Sequence, residues 1–195
     1  MLPNINYLII EVRVVMNICV YGSGSKDTDK KYLYMGFKLG QRLADESYSV
    51  VFGGGTHGMM GAVARGAIDR NGHLIGISPR WLNNVEPIYD DCSEFIHVDT
   101  LDERKNKFVE YSDVFIVTPG GIGTMDEFFE VITLRKLERI NHEVIIFNID
   151  HFYDDMINFI KKMDEEHLLN IEIQSIFRVA TDIEGIFEIF EEMEK

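Results

Sequence analysis

Apolar residues in this chain fall into two alternating textures. Short runs rich in them, over residues 17–21, 49–52, 73–78, 94–98, 114–117 and 143–148, are bounded by glycine, proline or polar residues. Runs of that length read as strands, and their largely apolar character marks strands covered on both faces. Between them lie longer stretches whose apolar residues recur at three and four, as in amphipathic helices. One follows a cap at Asp27 or Thr28 and runs to about residue 46, with Tyr32, Phe37, Leu39 and Leu43 as core candidates. Others cover about residues 59–70, 101–111 and 152–167, and one starts at Thr124. A run at 176–180 reads as a last strand. A last helix follows over 183–194, with Ile183, Ile186, Phe187, Phe190 and Met193 on one face. Residues 80–91, with Trp81, Pro87 and Tyr89, have no period and read as an irregular loop, a candidate lid. Strands alternating with helices predict an α/β fold: one domain, with a doubly wound parallel sheet of six to seven strands flanked by helices. Residues 1–15 precede this pattern as an extension, readable as an extra strand, a swapped arm or a tail.

Three strands run into glycine-rich turns: Gly22-Ser23-Gly24-Ser25, Gly53-Gly54-Gly55-Thr56-His57-Gly58 and Pro119-Gly120-Gly121-Ile122-Gly123. In a parallel sheet these ends share one edge, where ligands bind. Strand, glycine loop and helix together present unpaired backbone N–H groups and a positive dipole end to an anion. The third turn, with Glu127 beside it, is therefore the first candidate for a phosphate site. A structural reading competes there: Thr124-x-x-Glu127 fits a capping box, with Thr124 as N-cap and Glu127 at N3. Gly53-x-Gly55-x-x-Gly58 matches the dinucleotide fingerprint, but after the second strand and without an acid about 20 residues on. Arg80 stands in that region and would suit a 2′-phosphate, which keeps an NADP-dependent reading open. On the helix at 101–111, Leu101, Phe108 and Val109 set the apolar face, with Arg104 and Lys105 on its flanks. Such cations either snorkel outward or line an anion pocket. His57 is a candidate general base, although a histidine on a loop more often faces solvent.

Composition narrows the partners. The 195 residues carry 33 acidic against 19 basic side chains, a net charge of −14. Nucleic acid polymers and anionic membranes need a basic surface, so neither is expected; a small phosphorylated ligand needs only local donors. Cys19 and Cys92 are too few for a disulfide framework and suit a reducing cytoplasm. No apolar run approaches the roughly 18 residues of a membrane span. Residues 8–15 contain Glu11 and Arg13 and make a poor signal peptide. There is no metal-ligand spacing, no CxxC, no GxSxG elbow and no Walker sequence.

Together these segments resemble the LOG (LONELY GUY) family, the cytokinin riboside 5′-monophosphate phosphoribohydrolases, long labelled possible lysine decarboxylases. The family pattern PGGxGTxxE matches Pro119 to Glu127 in full. GGGxxGLMG matches Gly53 to Gly61 with Met59 in place of Leu, and the RK pair matches Arg104-Lys105. The similarity covers about residues 16–152. It implies a Rossmann-like subunit, usually a homodimer, that hydrolyses the N-glycosidic bond of a nucleoside 5′-monophosphate to free base and ribose 5-phosphate, with no cofactor or metal. The implied catalytic pair is Arg104 and Glu127. The implied substrate- and phosphate-binding set is Gly22, Ser23, Gly54, Gly55, Met59, Lys105, Gly120, Gly121, Ile122, Gly123 and Thr124. Leu134-Arg135-Lys136 stands where the family commonly has Trp-x-Gln, Leu101 to Lys105 where it has MHERK, and His142-Glu143 where it has Lys-Pro. These departures leave the base open between prenylated adenine, plain AMP and another monophosphate. Two competing functions stay open beside the hydrolase. The first is a non-catalytic carrier of a nucleotide-like or molybdopterin-like cofactor. The second is a PLP-dependent lysine decarboxylase, with Lys105 as its Schiff-base lysine.

Overall fold

The computed structural model describes residues 16–84 and 87–193; the N-terminal extension at 1–15 lies outside the described residues. The chain alternates strand and helix in the order β1 (Asn17–Tyr21), α1 (Lys30–Asp45), β2 (Ser49–Phe52), α2 (Gly58–Asp69), β3 (Leu74–Pro79), β4 (Glu94–Val98), α3 (Leu101–Tyr111), β5 (Val114–Val117), α4 (Ile122–Lys136), β6 (Glu143–Phe147), α5 (Asp154–Glu165), β7 (Arg178–Ala180) and α6 (Ile183–Met193). Among the described residues, seven strands join one sheet in the order β4-β3-β2-β1-β5-β6-β7. Every strand pair is parallel, so the fold is α/β and doubly wound.

The period of two along each strand divides the core. Ile18, Val20, Val50, Phe52, Val114, Ile116, Ile145 and Phe147 face the layer that contains α1, α2 and α6. Their neighbours Cys19, Tyr21, Val51, Phe115, Val117, Val144 and Ile146 face α3, α4 and α5. Both faces are covered, which is why the strand sequences read as apolar runs rather than alternations. Phe128 of α4 is fully buried; cutting such a ring to alanine costs about 3–5 kcal/mol. It ties the start of α4, and with it the third glycine turn, to the sheet. No helix among the described residues is long and apolar enough to cross a membrane.

Several boundaries differ from expectation for local reasons. α1 is capped by Asp29, whose carboxylate accepts from the Lys31 N–H at 2.9 Å. Thr28 instead donates its hydroxyl to the Ser25 carbonyl at 2.7 Å and so shapes the first glycine turn. Asp150 and His151 adopt φ of 51° and 60°, a left-handed break that delays α5 to Asp154. Pro79 does not lie outside β3 but is its last residue, paired with Val98 where β2 has already ended, its pairing reaching only Gly76. Residues 80–84 form a short 3-10 turn.

The sheet order reverses between β1 and β5, because the chain winds outward on one side to β4 and on the other to β7. Crevices open at such a point beyond the carboxyl ends of the strands. Here β1 and β5 are laced together. Thr118 donates its hydroxyl to the Tyr21 carbonyl at 2.8 Å, Tyr153 donates to the Thr118 carbonyl at 2.7 Å, and the Ser23 N–H donates to the Pro119 carbonyl at 3.1 Å.

Candidate active site

A cleft of about 460 Å³ lies at this crossing, lined among others by Gly22, Ser23, Trp81, Arg104, Thr124 and Glu127. The N-termini of α2 and α4, which both follow glycine turns, approach it, and their states differ. At α2 the chain supplies its own acceptor: the Ser23 carbonyl takes the Met60 N–H at 3.3 Å. Gly58 makes this contact possible. Its φ is +62°, and an added Cβ would lie 2.1 Å from the Ser23 oxygen. The position that a dinucleotide pyrophosphate would need at this helix is therefore filled by backbone. Segment 87–89 covers the rest of the second glycine turn. Thr56 N–H donates to the Pro87 carbonyl at 3.1 Å, Tyr89 N–H to the Gly54 carbonyl at 2.8 Å, and Gly55 bridges to Ile88.

The N-terminus of α4 is open. Its N-cap is Gly121, with no side-chain cap, and the first helical hydrogen bond runs from Met125 N–H to the Gly121 carbonyl at 3.1 Å. The capping box expected from Thr124 and Glu127 is thus not built. The helix starts two residues earlier, which puts Thr124 at N3 and Glu127 on the second turn. The amides of Ile122, Gly123 and Thr124 find no acceptor among the described residues. A Cβ on Gly121 or Gly123 would meet nothing within 4 Å. Three free amides, the Thr124 hydroxyl and the positive end of a 15-residue helix form an anion seat by the ordinary physics of helix ends.

Arg104 approaches from α3. Its guanidinium is buried and its donors are assigned: Nε donates to the Ile77 carbonyl at 3.0 Å and Nη2 to the Gly53 carbonyl at 3.1 Å. Nη1 faces Glu127 Oε1 at 3.6 Å, and the Phe108 ring lies 5.1 Å from the guanidinium carbon. Gly53 is needed for this arrangement, since a Cβ there would fall 2.0 Å from Nη2. A charge this deep persists only when its hydrogen bonds and partner are supplied together. The result is a carboxylate held in fixed register at the cleft wall. Beneath it, burial first, with Cys19 and Glu127 adding to it, pushes the Tyr21 hydroxyl well above its ordinary value. Burial does the same to the Cys19 thiol. Both stay protonated near neutrality, so neither is a nucleophile for this cleft.

The structure brings seven of the thirteen expected site residues to the cleft: Gly22, Ser23, Arg104, Gly121, Gly123, Thr124 and Glu127. The other six do not line it, although the Ile122 amide is one of the three at the anion seat. Gly54 and Gly55 lie under segment 87–89, as above. Met59 is fully buried in the core, and its neighbour Met60 lines the cleft. Gly120 packs on Thr124 and borders an adjoining hollow with Tyr32 and Phe152. Ile122 points outward from α4 and is 89% exposed. Lys105 reaches past the site to α4, where its Nζ pairs with Glu130 at 2.5 Å and Asp126 at 3.3 Å. The adjacent cations part because successive helix positions differ by about 100°. His57 is exposed, as its loop position suggests. Trp81, Leu82 and Leu101 also line the cleft. No motif marks any of them as a site residue; the aperiodic, lid-like character of residues 80–91 is the one sequence signal that points to Trp81.

The model of the family described as possible lysine decarboxylase matches residues 60–190. The cytokinin riboside 5′-monophosphate phosphoribohydrolase LOG2 of Arabidopsis thaliana is 31% identical over 175 residues, 90% of this chain and 82% of the relative. The enzyme LOG of Oryza sativa subsp. japonica is 36% identical over 143 residues, 73% of this chain and 59% of that protein. Among solved structures, the molybdenum cofactor carrier protein of Chlamydomonas reinhardtii aligns with a TM-score of 0.70 at 23% identity, over 93% of this chain and 99% of that one. The molybdenum cofactor binding protein of Rippkaea orientalis aligns at 0.69 and 23%, over 93% and 98%.

Proposed function

This chain belongs to the LOG family, whose family model is described as possible lysine decarboxylase, and from that premise we propose that it is a phosphoribohydrolase. It hydrolyses the N-glycosidic bond of a nucleoside 5′-monophosphate, releasing the base and ribose 5-phosphate. The observation that carries this reading is the Arg104–Glu127 pair, 3.6 Å apart, in the same cleft as the open N-terminus of α4.

The division of labour follows from the chemistry. The 5′-phosphate sits on the free amides and the Thr124 hydroxyl. Binding energy gained there holds the sugar in place for a reaction some atoms away. Cleavage develops positive charge on the ribose, as in glycoside hydrolysis. Glu127 supplies the negative group that stabilises this charge, orients a ribose hydroxyl or activates water. Arg104 fixes Glu127 and presents a cation to phosphate or leaving base. No step calls for a metal or cofactor. A decarboxylase acting through a Schiff base needs a lysine that readily gives up its proton. Lys105 has the opposite setting, since its hydrogen bond to Glu130 raises its pKa. The cytoplasm and a homodimer belong to the same proposal. Ile122 and Phe129, exposed on the outer face of α4, are the surface a second copy would cover.

The test incubates the purified protein with AMP and with prenylated AMP and follows free base. Sedimentation of the same preparation reads the dimer. Glu127→Gln should abolish turnover while ribose 5-phosphate still binds. A Glu127→Gln enzyme with full activity, or a wild-type protein that binds monophosphates tightly and releases no base from any of them, would refute the proposal.

A further inference from the structure

Trp81 is the chain's single tryptophan; the residue is 49% exposed and lines the cleft. An indole so placed usually rotates freely, but this one is fastened. Its Nε1–H donates to the Asp99 carbonyl at 3.1 Å. Asp99 stands just before α3, and its own N–H donates to the Glu103 carboxylate at 2.8 Å. Thr100 caps the same helix by accepting from the Glu103 N–H at 3.1 Å. Trp81 is thereby bolted to the first turn of the helix that carries Arg104. The ring's one polar group is taken up inside the protein, and what it offers the cleft is an aromatic face. Among the described residues no other ring and no cation packs on that face. Beside it stand Leu82 and Leu101, the latter 45% exposed. Trp81, Leu82 and Leu101 thus give the cleft an apolar stretch with an aromatic face, beside the polar phosphate seat and the Arg104–Glu127 pair.

We infer that Trp81 is the stacking platform for the leaving base, with Leu82 and Leu101 as the apolar rim that receives substituents on it. This rests on the phosphoribohydrolase reading and deepens it. With phosphate on α4 and ribose at Glu127, the base falls to the stretch of the cleft that offers an aromatic face, Trp81. Because the indole N–H is engaged, recognition there is by ring area and apolar contact rather than by hydrogen bonding. The platform therefore accepts flat heteroaromatic bases broadly and rejects the bare sugar phosphate. A stacked base is worth about 1–3 kcal/mol by alanine substitution, which corresponds to roughly 5- to 150-fold in affinity.

The lone tryptophan is its own reporter. The Glu127→Gln protein is titrated with AMP, adenine and ribose 5-phosphate while indole emission is followed at the red edge of its absorption. AMP and adenine should quench it and ribose 5-phosphate should not. In the otherwise wild-type enzyme, Trp81→Ala should raise KM for AMP by roughly 5- to 150-fold. It should change kcat far less and leave inhibition by ribose 5-phosphate as it was. Trp81→Phe, which keeps a ring, should restore most of the affinity and guards against a folding defect in the alanine variant. AMP that binds by calorimetry without altering emission overturns the inference. So do equal quenching by ribose 5-phosphate, an unchanged KM in Trp81→Ala, or a loss of ribose 5-phosphate inhibition in step with AMP. If AMP quenches but no monophosphate is hydrolysed, the hydrolase proposal falls and the platform stands. If none binds, both fall.

Discussion

At Gly53 one missing side chain decides where a charge goes. The carbonyl of this residue accepts from Arg104, and the space its Cβ would fill is occupied by the guanidinium. Gly53→Ala should therefore act on the site more than on the fold. The guanidinium is the end of a long side chain and can yield, so the stability loss should stay within the ~1–3 kcal/mol of an overpacked core. Displacing it from Glu127 by about 1 Å should lower kcat/KM on the order of 100-fold. Paired thermal melts and initial rates check this, and a protein that loses stability but not rate would contradict it. The sequence motif marks Gly53 as one glycine among several. That it serves an arginine 51 positions away, and not a phosphate, is invisible without the contact. The two cations of the Arg-Lys pair are equally matched in sequence; only the neighbours they meet separate a site residue from a tether to Glu130.

Among the elements, α2 and α4 present the same local grammar, a strand running through glycines into a helix. One N-terminus is plugged by the Ser23 carbonyl and the other is free. Gly123 stands at N2 of the free one with empty space around its Cβ position. Aspartate there should place its carboxylate over the amides proposed to hold the phosphate. Gly123→Asp should then leave the helix as stable or firmer, by about 0.3–1 kcal/mol from the dipole, while ribose 5-phosphate binding falls at least about tenfold through charge repulsion and occupation of the seat. Calorimetric titration beside a thermal melt separates the two effects. Undiminished ribose 5-phosphate affinity would mean that the phosphate sits elsewhere. The apolar periods locate these helices to within a few residues. The start of α4 differs from its sequence expectation by two residues because Thr-x-x-Glu resembles a cap, whereas Gly121 enters the helix without one.

Across the whole molecule, burial sets the pH range of stability. His142 lies half buried against Phe115, and desolvation lowers its pKa from 6.5. The unfolded chain therefore binds its proton more readily, and stability is lost as pH falls through 6.5 and below. Burial raises Cys19 above 9.0, Cys92 to about 11, and Tyr21 and Tyr153 above 10.0. These groups release protons more readily when unfolded, so stability is lost again as pH climbs past 9.0. Thermal midpoints should be highest between those limits. The net charge of −14 opposes the acid limb, because protonating carboxylates relieves repulsion. His142→Phe isolates the histidine and should flatten that limb. An acid limb of unchanged slope in the variant would assign it to other groups.

The sequence by itself determined the layered α/β design, the six or seven strands, the shared edge on which three glycine turns gather, and the family. Each of these depends on local periodicity or on a contiguous motif, both of which are written along the chain. Only the tertiary structure decided which glycine turn stays open, which of two adjacent cations meets Glu127, and that the irregular segment after β3 brings an aromatic face to the same cleft. Those outcomes hang on contacts between residues tens of positions apart, where a carbonyl, a missing Cβ or a ring fills a particular space, and no spacing in the sequence encodes that fit.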